Sequence, residues 1–426
     1  MEDLQHLQVH RNIICIDFKF FYASVEYVLR GLDPFTTPLV VADRSRGKDA
    51  LCLAVSPYLK SMEVPGRIRI FDIPDNLKEG TIYAMSRMKT YMEYTMKVIE
   101  IYLIFVSEDD LYVYSIDEAF LDLTGYLKLY NKTELQLTKE IIKKITDEPH
   151  LPVSVGIGPN ILMAKLSMDI DSKKQKDSIA KWSYKDIPDR LWPVEPLSKM
   201  WGIGPRMEIN LNKLGIWSIG DLAAYNVDAL QDRFGVMGQQ LWYHAHGIDN
   251  ALIQDKGKLR YQNKSYGMSQ VLFHDYNGEE VLTIIQEMVD EVSRRLRLNK
   301  KRCRVIHFGI GYNADIGGGL HQQITFDQPT SSVDQIFETC LNIFKNKYDG
   351  FPIRTVEVSL GGLTESTTYQ YSIFEDAESI DREYNLMSAM DEIKEKFGKN
   401  AVNRATALNK ESTIIKHNTF IGRHKA

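Results

Sequence analysis

The sequence predicts a multidomain α+β protein, and three observations support this prediction. Its 426 residues exceed what one ordinary hydrophobic core encloses, so several domains are expected. Short β-branched runs in the first 180 residues alternate with segments of helical periodicity. The region 265–361 then follows the order strand, helix, strand, strand, helix, strand, which is a split βαβ pattern.

The composition is typical of a globular protein in a reducing compartment. Hydrophobic residues make up 44% of the chain and charged residues 26%. The four cysteines lie far apart without CxxC or CxxH spacing, which favours neither a zinc site nor a disulfide framework. The N-terminus lacks the pattern of a signal peptide, and no run approaches the ~18 apolar residues that span a membrane. We therefore expect a cytoplasmic protein with no membrane partner.

The net charge of −5 argues weakly against nucleic-acid binding, but the distribution of charge matters more than the sum. One stretch carries basic residues with no acid among them. Such a run is usually a solvated face, yet in an acidic chain it also suggests a surface that follows a nucleic-acid backbone. The residues are Arg294, Arg295, Arg297, Lys300, Lys301, Arg302 and Arg304.

The first 180 residues predict a core of strands and helices. A β-branched run at 12–17 is typical of a buried strand and ends on Asp17, a carboxylate that burial tolerates only if it is paired, solvated or metal-bound. Two further strands flank a tight bend within 111–124. The remaining predicted elements are a helix at 21–29 closed by Gly31, a small mixed segment at 32–79, a helix near 81–104, a strand at 152–158 and a helix at 160–169.

The rest of the chain predicts three further parts. Aromatic and proline residues cluster after Lys181 and precede a small helical unit, and an exposed basic linker follows at 250–264. From Thr364 onward polar residues dominate, so we expect a loosely ordered tail. Within the split βαβ region we predict strands near 265–273, 303–313, 319–327 and 353–360, and helices near 279–298 and 332–347.

Three acidic residues, Asp17, Asp117 and Glu118, lie where predicted strands end or turn. Nucleotidyl transfer uses such hard oxygen ligands to hold two Mg²⁺ ions, which activate the attacking hydroxyl and stabilise the leaving pyrophosphate. The bend brings the adjacent acids to one point, and we expect a parallel strand to place Asp17 beside them. Alternatively, Asp17 caps the following helix and the other two are turn residues. The flanking strand patterns favour the metal site.

Four motifs resemble those of the Y-family (DinB/UmuC-like) DNA polymerases. They are IDFKFFYASVE at 16–26, SIDEAFLD at 115–122, SVGIGPN at 154–160 followed by Ala164 and Lys165, and WGIGPR at 201–206. The closing IGRHK also resembles the ends of UmuC/UvrX-type proteins from Gram-positive bacteria and their phages. The resemblance implies a right-hand polymerase with a ferredoxin-like palm (1–20 and 81–180), small fingers (21–80), a helical helix-hairpin-helix thumb (181–249), a linker (250–264), a split-βαβ little finger (265–362) and a tail (363–426).

The resemblance also implies a set of metal ligands. Asp17, Asp117, Glu118 and the backbone carbonyl of Phe18 would hold two Mg²⁺ ions, with Mn²⁺ as a substitute. One common variant of the first motif has a second acid two residues after the first. Here that position is Lys19, so the chain departs from this variant.

On the same resemblance, Tyr22 is a steric gate whose ring leaves no volume for a 2′-hydroxyl. Many relatives have Tyr and Arg where this chain has Pro57 and Lys60, so Lys60 supplies a point charge rather than a bidentate fork. Without the motifs, Tyr22 would be a packed aromatic residue and a lone lysine a solvated one. The groups assigned to the phosphates are the N–H groups of Phe20 and Phe21, at a helix N-terminus, and the side chains of Lys60 and Lys165.

Two further features suggest contacts with DNA and with a partner protein. Gly202 and Gly204 allow a tight turn between helices whose N–H groups face a DNA phosphate, and 235–238 is a weaker hairpin of the same kind. In the tail, 370–374 resembles the peptide by which bacterial polymerases dock on the sliding clamp, although Tyr371 replaces a leucine. The clamp-binding residues would be Gln370, Ile373 and Phe374.

The sequence therefore predicts a template-directed DNA polymerase of low fidelity that acts in translesion synthesis. Its expected partners are primer-template DNA, a dNTP and the replicative sliding clamp, and we expect a monomer in the bacterial cytoplasm, associated with the nucleoid. One alternative is another two-metal palm enzyme, such as a nucleotide cyclase, which would need neither the hairpin nor the basic C-terminal domain. Another is a non-catalytic DNA-binding relative, which would be expected to lose at least one of the three acids.

Overall fold

The computed structural model describes residues 2–44, 47, 50–256, 264–365, 377–421 and 424–425. The chain divides into two compact units, Met1–Arg260 and Tyr261–Ala426. Each unit encloses hydrophobic cores of its own.

The strands of the first unit form two sheets. A five-stranded sheet has the order β5-β6-β1-β7-β8, and a three-stranded sheet has the order β3-β2-β4. The strands are β1 (Ile13–Phe18), β2 (Leu39–Val41), β3 (Ala54–Val55), β4 (Ile82–Ala84), β5 (Leu111–Val113), β6 (Glu118–Asp122), β7 (Val153–Gly158) and β8 (Ile179–Lys181).

Helices connect these strands and build a separate helical region after β8. In the order of the chain they are α1 (Phe21–Arg30), α2 (Pro57–Ser61), α3 (Asp75–Lys78), α4 (Met88–Phe105), α5 (Leu127–Tyr130), α6 (Glu134–Asp147), α7 (Ile161–Ile170), α8 (Pro205–Asn212), α9 (Ile219–Ala224), α10 (Val227–Phe234), α11 (Val236–Ala245) and α12 (Ile253–Lys256). Short 3-10 turns lie at Glu2–Leu7, Ile70–Asp72, Glu108–Asp110, Ser172–Lys174, Tyr184–Asp186 and Leu197–Lys199, and a π-helical turn lies at Ile187–Leu191.

The central strand β1 carries the predicted buried run. Its residues from Ile13 to Ile16 are at most 2% exposed, because the strand lies between β6 and β7 and its apolar side chains pack on both faces of the sheet. Helix α1 follows and ends at Gly31, whose φ of 64° allows the left-handed turn that closes a helix. The sequence predicted both elements.

The sheet differs from expectation in the direction of its strands. We expected a parallel strand to bring Asp17 to the other acids, but β1 pairs antiparallel with both β6 and β7. In the five-stranded sheet only β7 and β8 are parallel neighbours. Antiparallel pairing still places the end of β1 beside the start of β6, so the acids meet by a different route.

The second unit has a five-stranded sheet covered by helices, and two short strands near its C-terminus form a separate two-stranded sheet. The strand order is β11-β10-β12-β9, all antiparallel, and β13 pairs with β10. The elements are β9 (Ser265–Tyr276), α13 (Glu280–Leu298), β10 (Lys301–Tyr312), β11 (Gly319–Thr330), α14 (Val333–Lys347), β12 (Ile353–Gly361), β13 (Thr364–Glu365), α15 (Ala377–Phe397), a 3-10 turn (Ala405–Leu408), α16 (Ile414–His417), β14 (Phe420–Ile421) and β15 (His424–Lys425). This is the predicted split βαβ order, extended by a C-terminal segment.

The expectation of a loosely ordered tail is wrong for 377–421. Helix α15 is bound to α13 by an ion pair in which Arg297 donates to Asp391 at 2.7 and 3.2 Å. Glu383 accepts hydrogen bonds from the first N–H groups of α14, and the buried hydroxyl of Thr413 accepts one from Gln270 at 2.8 Å. Several polar residues of this segment therefore bind α13, α14 and β9, while most of the surface of α15 stays exposed.

Candidate active site

The edge of the five-stranded sheet brings the three predicted acids together. Asp17 and Glu118 are register partners on β1 and β6, and the N–H of Phe18 donates to the carbonyl of Asp117 at 2.9 Å. The bend before β6 is fixed by Ser115, whose hydroxyl donates to the carboxylate of Asp117 at 2.6 Å. The sheet thus gathers three carboxyl groups from positions a hundred residues apart.

The electrostatic consequence is visible at Asp17. Burial, together with the negative charges of Asp117 and Glu118, raises the pKa of Asp17 from its usual range to about 7. A carboxylate with so high a pKa costs free energy whenever it is ionised at neutral pH. Bound positive charge at this position would relieve that cost.

Glu118 has protein partners on both carboxylate oxygens. The thiol of Cys15 donates to Oε1 at 3.2 Å, and the ammonium group of Lys165 donates to Oε2 at 3.0 Å. Lys165 also contacts Asp169, one turn later on α7, at 3.1 Å. Burial works against the charged ammonium, but Asp169 and Glu118 outweigh it and raise the pKa of Lys165 above its usual value. Lys165 is therefore a firmly charged neighbour of the acids.

The carboxylates of Asp17, Asp117 and Glu118 are chemically suited to bind divalent metal ions, although they do not form a preformed metal site. Among the residues that the structure describes, no three His, Cys, Asp or Glu side chains are gathered closely enough to hold a metal ion. Three carboxylates at one sheet edge nevertheless supply the hard oxygen atoms that Mg²⁺ and Mn²⁺ prefer. A bound cation would offset the repulsion that Asp17 experiences from the charges of Asp117 and Glu118. Metal binding would then require Glu118 to exchange part of its contact with Lys165.

The start of α1 carries the predicted nucleotide-binding groups. Phe20 adopts a left-handed conformation with φ of 42°, and no side chain caps the helix that begins at Phe21. A non-glycine residue in this conformation is strained, and such strain is often found at functional sites. Tyr22 follows, half-buried, and burial and the charge of Asp117 both raise the pKa of its hydroxyl.

A group of lysines lies near the acids, and the sequence interpretation found only part of it. Burial and the positive charge of Lys173 both lower the pKa values of Lys19 and Lys60. Lys173 is also close enough to act on Asp17. Lys19 donates to the hydroxyl of Ser178, which fixes it at the same sheet edge. Lys173 follows α7 in a KK pair that matches no motif, so spacing alone could not have identified it.

The predicted helix-hairpin-helix turn is present within the first unit. Gly202 has φ of 97°, a conformation that favours glycine, and Gly204 precedes α8 as its N-terminal cap. Trp201 ties the turn to the five-stranded sheet by packing against Tyr114 and Phe120, with ring centroids 5.8 and 6.2 Å apart. At the weaker hairpin, a Cβ atom at Gly238 would lie 2.1 Å from the carbonyl oxygen of Leu230, so only glycine allows α10 and α11 to approach this closely.

Of the residues predicted to form a basic surface on the second unit, the structure buries two and leaves the others partly or fully exposed. Arg294 and Arg297 are 7% and 8% exposed and form ion pairs with Glu395 and Asp391 of α15, so their prediction as surface contacts needs correction. The reason is the packed C-terminal segment, which the sequence led us to expect in solution. Partly or fully exposed members are Arg295, bound to Glu291; Lys300; Lys301, bound to Glu365; Arg302; and Arg304, bound to the carbonyls of Phe326 and Asp327.

The predicted clamp-binding residues Gln370, Ile373 and Phe374 lie outside the described residues. No helix in the described part of the chain is long and apolar enough to cross a membrane.

Comparison with protein-family models identifies three matching regions. Residues 16–169 match the impB/mucB/samB family, and residues 263–373 match the C-terminal domain of the same family. Residues 198–249 match the thumb domain of DNA polymerase iota, and they contain the hairpin at Gly202 and Gly204.

Two curated relatives match almost the whole chain, and a third matches half of it. UvrX of Bacillus subtilis (strain 168), named as a UV-damage repair protein, is 39% identical over 98% of this chain and 98% of its own length. DNA polymerase IV 2 of the same strain is 29% identical over 97% of this chain and 98% of its own. The DNA repair protein homolog YobH is 47% identical, and the match covers 50% of this chain and 99% of YobH.

A solved structure shares the fold. It is a Dbh–Dpo4–Dbh chimera of Y-family DNA polymerases, with a TM-score of 0.64 and 21% sequence identity over 83% of this chain and 99% of the chimera. Together with the thumb-domain match, this confirms the predicted multidomain α+β polymerase fold.

Proposed function

The chain belongs to the Y-family of DNA-directed DNA polymerases, the impB/mucB/samB family, and we propose that it acts in translesion synthesis by two-metal nucleotidyl transfer. The substrates would be a dNTP and the 3′-hydroxyl of a primer paired to a template. The observation that carries the proposal is the pairing of Asp17 with Glu118 beside Asp117 at a buried sheet edge, where burial and the two neighbouring charges raise the pKa of Asp17 to about 7.

Asp17, Asp117, Glu118 and the carbonyl of Phe18 would hold two Mg²⁺ ions, or Mn²⁺ ions in their place. When bound, such ions supply an activated 3′-oxygen and stabilise the charge that develops on the leaving pyrophosphate. The protein's own task is to hold the carboxylates in place. Ser115 does this for Asp117 through its hydrogen bond, and the β1–β6 register does it for Asp17 and Glu118.

The start of α1 would bind and select the nucleotide. The uncapped N–H groups of Phe20 and Phe21 lie at the positive end of the helix dipole, where phosphate oxygens bind favourably. The ring of Tyr22 would lie under the incoming sugar and exclude a 2′-hydroxyl by volume. Its electrostatic proximity to Asp117 supports this placement next to the acids.

The lysines would neutralise the triphosphate. Burial and the nearby positive charge of Lys173 lower the pKa of Lys60, and two like charges in proximity favour an anion between or beside them. Lys165 would contribute once Glu118 turns from it toward metal. Because lysine gives a point charge, this clamp depends less on geometry than an arginine fork does.

DNA would be held without reading its sequence. The hairpin at Gly202 and Gly204 offers backbone N–H groups to a phosphate, and the exposed basic residues of the second unit, such as Lys300 and Arg304, offer side-chain charges. Low fidelity, tolerance of damaged templates and low processivity are proposed from family membership and from the names of the relatives. The peptide 370–374 is proposed to bind the sliding clamp.

The domain boundaries given by the sequence are proposed unchanged for the palm, fingers, thumb and little finger. The expectation of an exposed linker at 250–264 is wrong for Ile253–Lys256, which form the short helix α12, because Ile253 is 4% exposed and packs into the core beside Ile13 and Phe120. We also propose, as the sequence led us to expect, that the protein is a monomer in the bacterial cytoplasm, associated with the nucleoid.

Primer extension tests the proposal directly. The purified chain is incubated with Mg²⁺, dNTPs and a primer annealed to an undamaged template or to one with an abasic site. The proposal expects extension on both. Failure on both templates would reject polymerase activity, and formation of a cyclic nucleotide instead would support the nucleotide-cyclase alternative.

A further inference from the structure

A buried charged cluster lies behind the nucleotide-binding end of α1. Glu26 is fully buried, and its carboxylate accepts hydrogen bonds from three side chains. Arg87 donates from Nε at 3.1 Å and from Nη2 at 2.6 Å, Tyr91 donates its hydroxyl at 2.7 Å, and Arg30 donates from Nη1. A carboxylate without water is stable only with compensation of this kind. The ion-paired residues Glu26, Arg30 and Arg87, called the joint below, are therefore held in fixed positions.

The joint connects the two ends of one segment of chain, because both of its arginines bind Glu26. Arg30 is the last residue of α1, and Arg87 immediately precedes α4. The residues between them, 31–86, leave α1 and return to α4 at these two arginines. Since both arginines bind the same carboxylate, the joint closes the base of this segment, which contains the three-stranded sheet β3-β2-β4 and most of the predicted fingers.

Tyr91 connects this joint to the predicted sugar gate. Its ring contacts that of Tyr22 edge-on, with centroids 5.1 Å apart, while its hydroxyl is bonded to Glu26 one helical turn further along α1. Tyr91 is fully buried, and burial raises the pKa of its hydroxyl to about 12, so the proton that makes this bond is retained at neutral pH. The ring of Tyr22 is thereby supported from the side of α4.

Helix α4 also reaches the acids. One turn after Tyr91, the hydroxyl of Thr95 donates to the carbonyl of Ile116 at 2.6 Å, immediately before Asp117. The same helix therefore contacts the gate, the joint and the turn that carries a proposed metal ligand.

We propose that Tyr91 is a positioning residue for sugar selection, and that the Glu26–Arg30–Arg87 joint holds it in place. A gate excludes a 2′-hydroxyl only while its ring cannot retreat, and Tyr91, in edge-on contact with the ring of Tyr22 at 5.1 Å, blocks retreat toward α4. The inference rests on the proposed role of Tyr22 as the gate. It adds that sugar selection depends on a residue outside the nucleotide site and on the joint at the base of 31–86.

Two substitutions separate the ring from the hydroxyl. Tyr91→Leu removes the ring support, and Tyr91→Phe removes only the bond to Glu26, which keeps both arginines and should still fold. The measurement is kcat/KM for a dNTP divided by that for the matching ribonucleotide, under standing-start primer extension. We expect this ratio to fall roughly tenfold in Tyr91→Leu and about threefold in Tyr91→Phe, with the larger part of the change in ribonucleotide use.

Tyr94 provides the matched control. It lies one turn on from Tyr91 in the same helix, is only partly buried, and contacts Lys97. Tyr94→Leu and Tyr94→Phe should leave the sugar ratio as it is. A purely structural role for Tyr91 would lower the use of both nucleotides in equal proportion, and an unchanged ratio in both Tyr91 variants overturns the inference.

Tyr22→Ala distinguishes this inference from the proposed function beneath it. If Tyr22→Ala lowers the sugar ratio and the Tyr91 variants do not, the gate stands and the positioning role of Tyr91 is rejected. If Tyr22→Ala itself leaves the ratio unchanged, the gate assignment fails and the inference fails with it. Extension of dNTPs by the wild type, measured in the same series, reports separately on polymerase activity.

Discussion

Asp17 and Glu118 face each other as register partners on two antiparallel strands, although 100 residues of chain separate them. Strand pairing fixes the spacing between their backbones, and the bend before Glu118 adds Asp117 to the same edge. Two further residues, Cys15 and Lys165, hold the carboxylate of Glu118. The arrangement is a group of acids whose repulsion is only partly compensated by the protein, which gives it a measurable response to pH and to divalent cations.

The first prediction concerns stability and pH. Asp17 has a pKa of about 7 in the folded chain against ~3.9 when unfolded, so the folded state binds more protons between these values. Stability without metal should therefore fall as pH rises through this window, and the cost is complete above pH ~7. Asp17→Asn should raise the free energy of unfolding at pH 8 by on the order of 2 kcal/mol and leave it little changed near pH 4. Thermal unfolding with EDTA measures this.

Mg²⁺ provides the complementary test of the same group. The ion should raise the melting temperature of the wild type more at pH 8 than at pH 6, because protons compete with it at Asp17. Asp17→Asn should lose most of this stabilisation. Equal melting temperatures of wild type and Asp17→Asn at pH 8 in EDTA would mean that Asp17 carries no electrostatic cost.

The second prediction concerns Tyr22. Replacing it with alanine removes the ring and opens volume beneath the sugar, so ribonucleotide incorporation should rise about a hundredfold relative to the corresponding dNTP. Competitive primer extension with mixed dNTP and ribonucleotide measures the change. Unchanged discrimination would show that the ring is only a packed aromatic residue on α1.

The third prediction concerns Lys173, which the motifs did not identify. Lys173→Ala should raise KM for dNTP about fivefold with a smaller effect on kcat, because it removes charge near Lys60 and the acids. Lys174→Ala is the matched control, since Lys174 is largely exposed and bound to Asp171 at 3.3 Å. Equal effects of the two substitutions would contradict a specific role for Lys173.

The fourth prediction separates structural from DNA-binding arginine and lysine residues in the second unit. Arg297→Ala should destabilise the protein by about 3 kcal/mol, because it leaves the carboxylate of Asp391 buried without its partner. Lys300→Ala should leave stability unchanged and weaken DNA binding in a salt-dependent way. Chemical denaturation and fluorescence anisotropy at two salt concentrations test the pair. A stability loss in Lys300→Ala, or none in Arg297→Ala, contradicts the assignment.

Much of the fold was predictable because hydrophobic periodicity is local. The β-branched run of β1, the bend before β6 and the strand–helix order of 265–361 all lie where the sequence placed them. Strand direction was not predictable, since the same buried run suits a parallel or an antiparallel neighbour, and the expected parallel pairing of β1 was wrong.

Because local sequence patterns do not reveal long-range contacts, the sequence also did not identify some residues of the sites. Arg297 is buried by a partner 94 residues later, in a segment so polar that the sequence suggested no packing for it. Tyr91 and Lys173 belong to no motif quoted for the family, and only the folded arrangement brings them to Tyr22 and Lys60. Long-range pairing of polar groups leaves no periodic signal, so it became visible only in the structure.

Single-turnover primer extension with Asp117→Asn tests the central claim most directly. The substitution keeps the shape of the side chain and removes the charge, so extension should fall by at least a thousandfold while DNA binding by anisotropy stays within about twofold. Asp109→Asn, at an exposed acid in the turn before β5, should extend like the wild type. Extension by Asp117→Asn at the wild-type rate would contradict the assignment of these carboxylates as the catalytic centre.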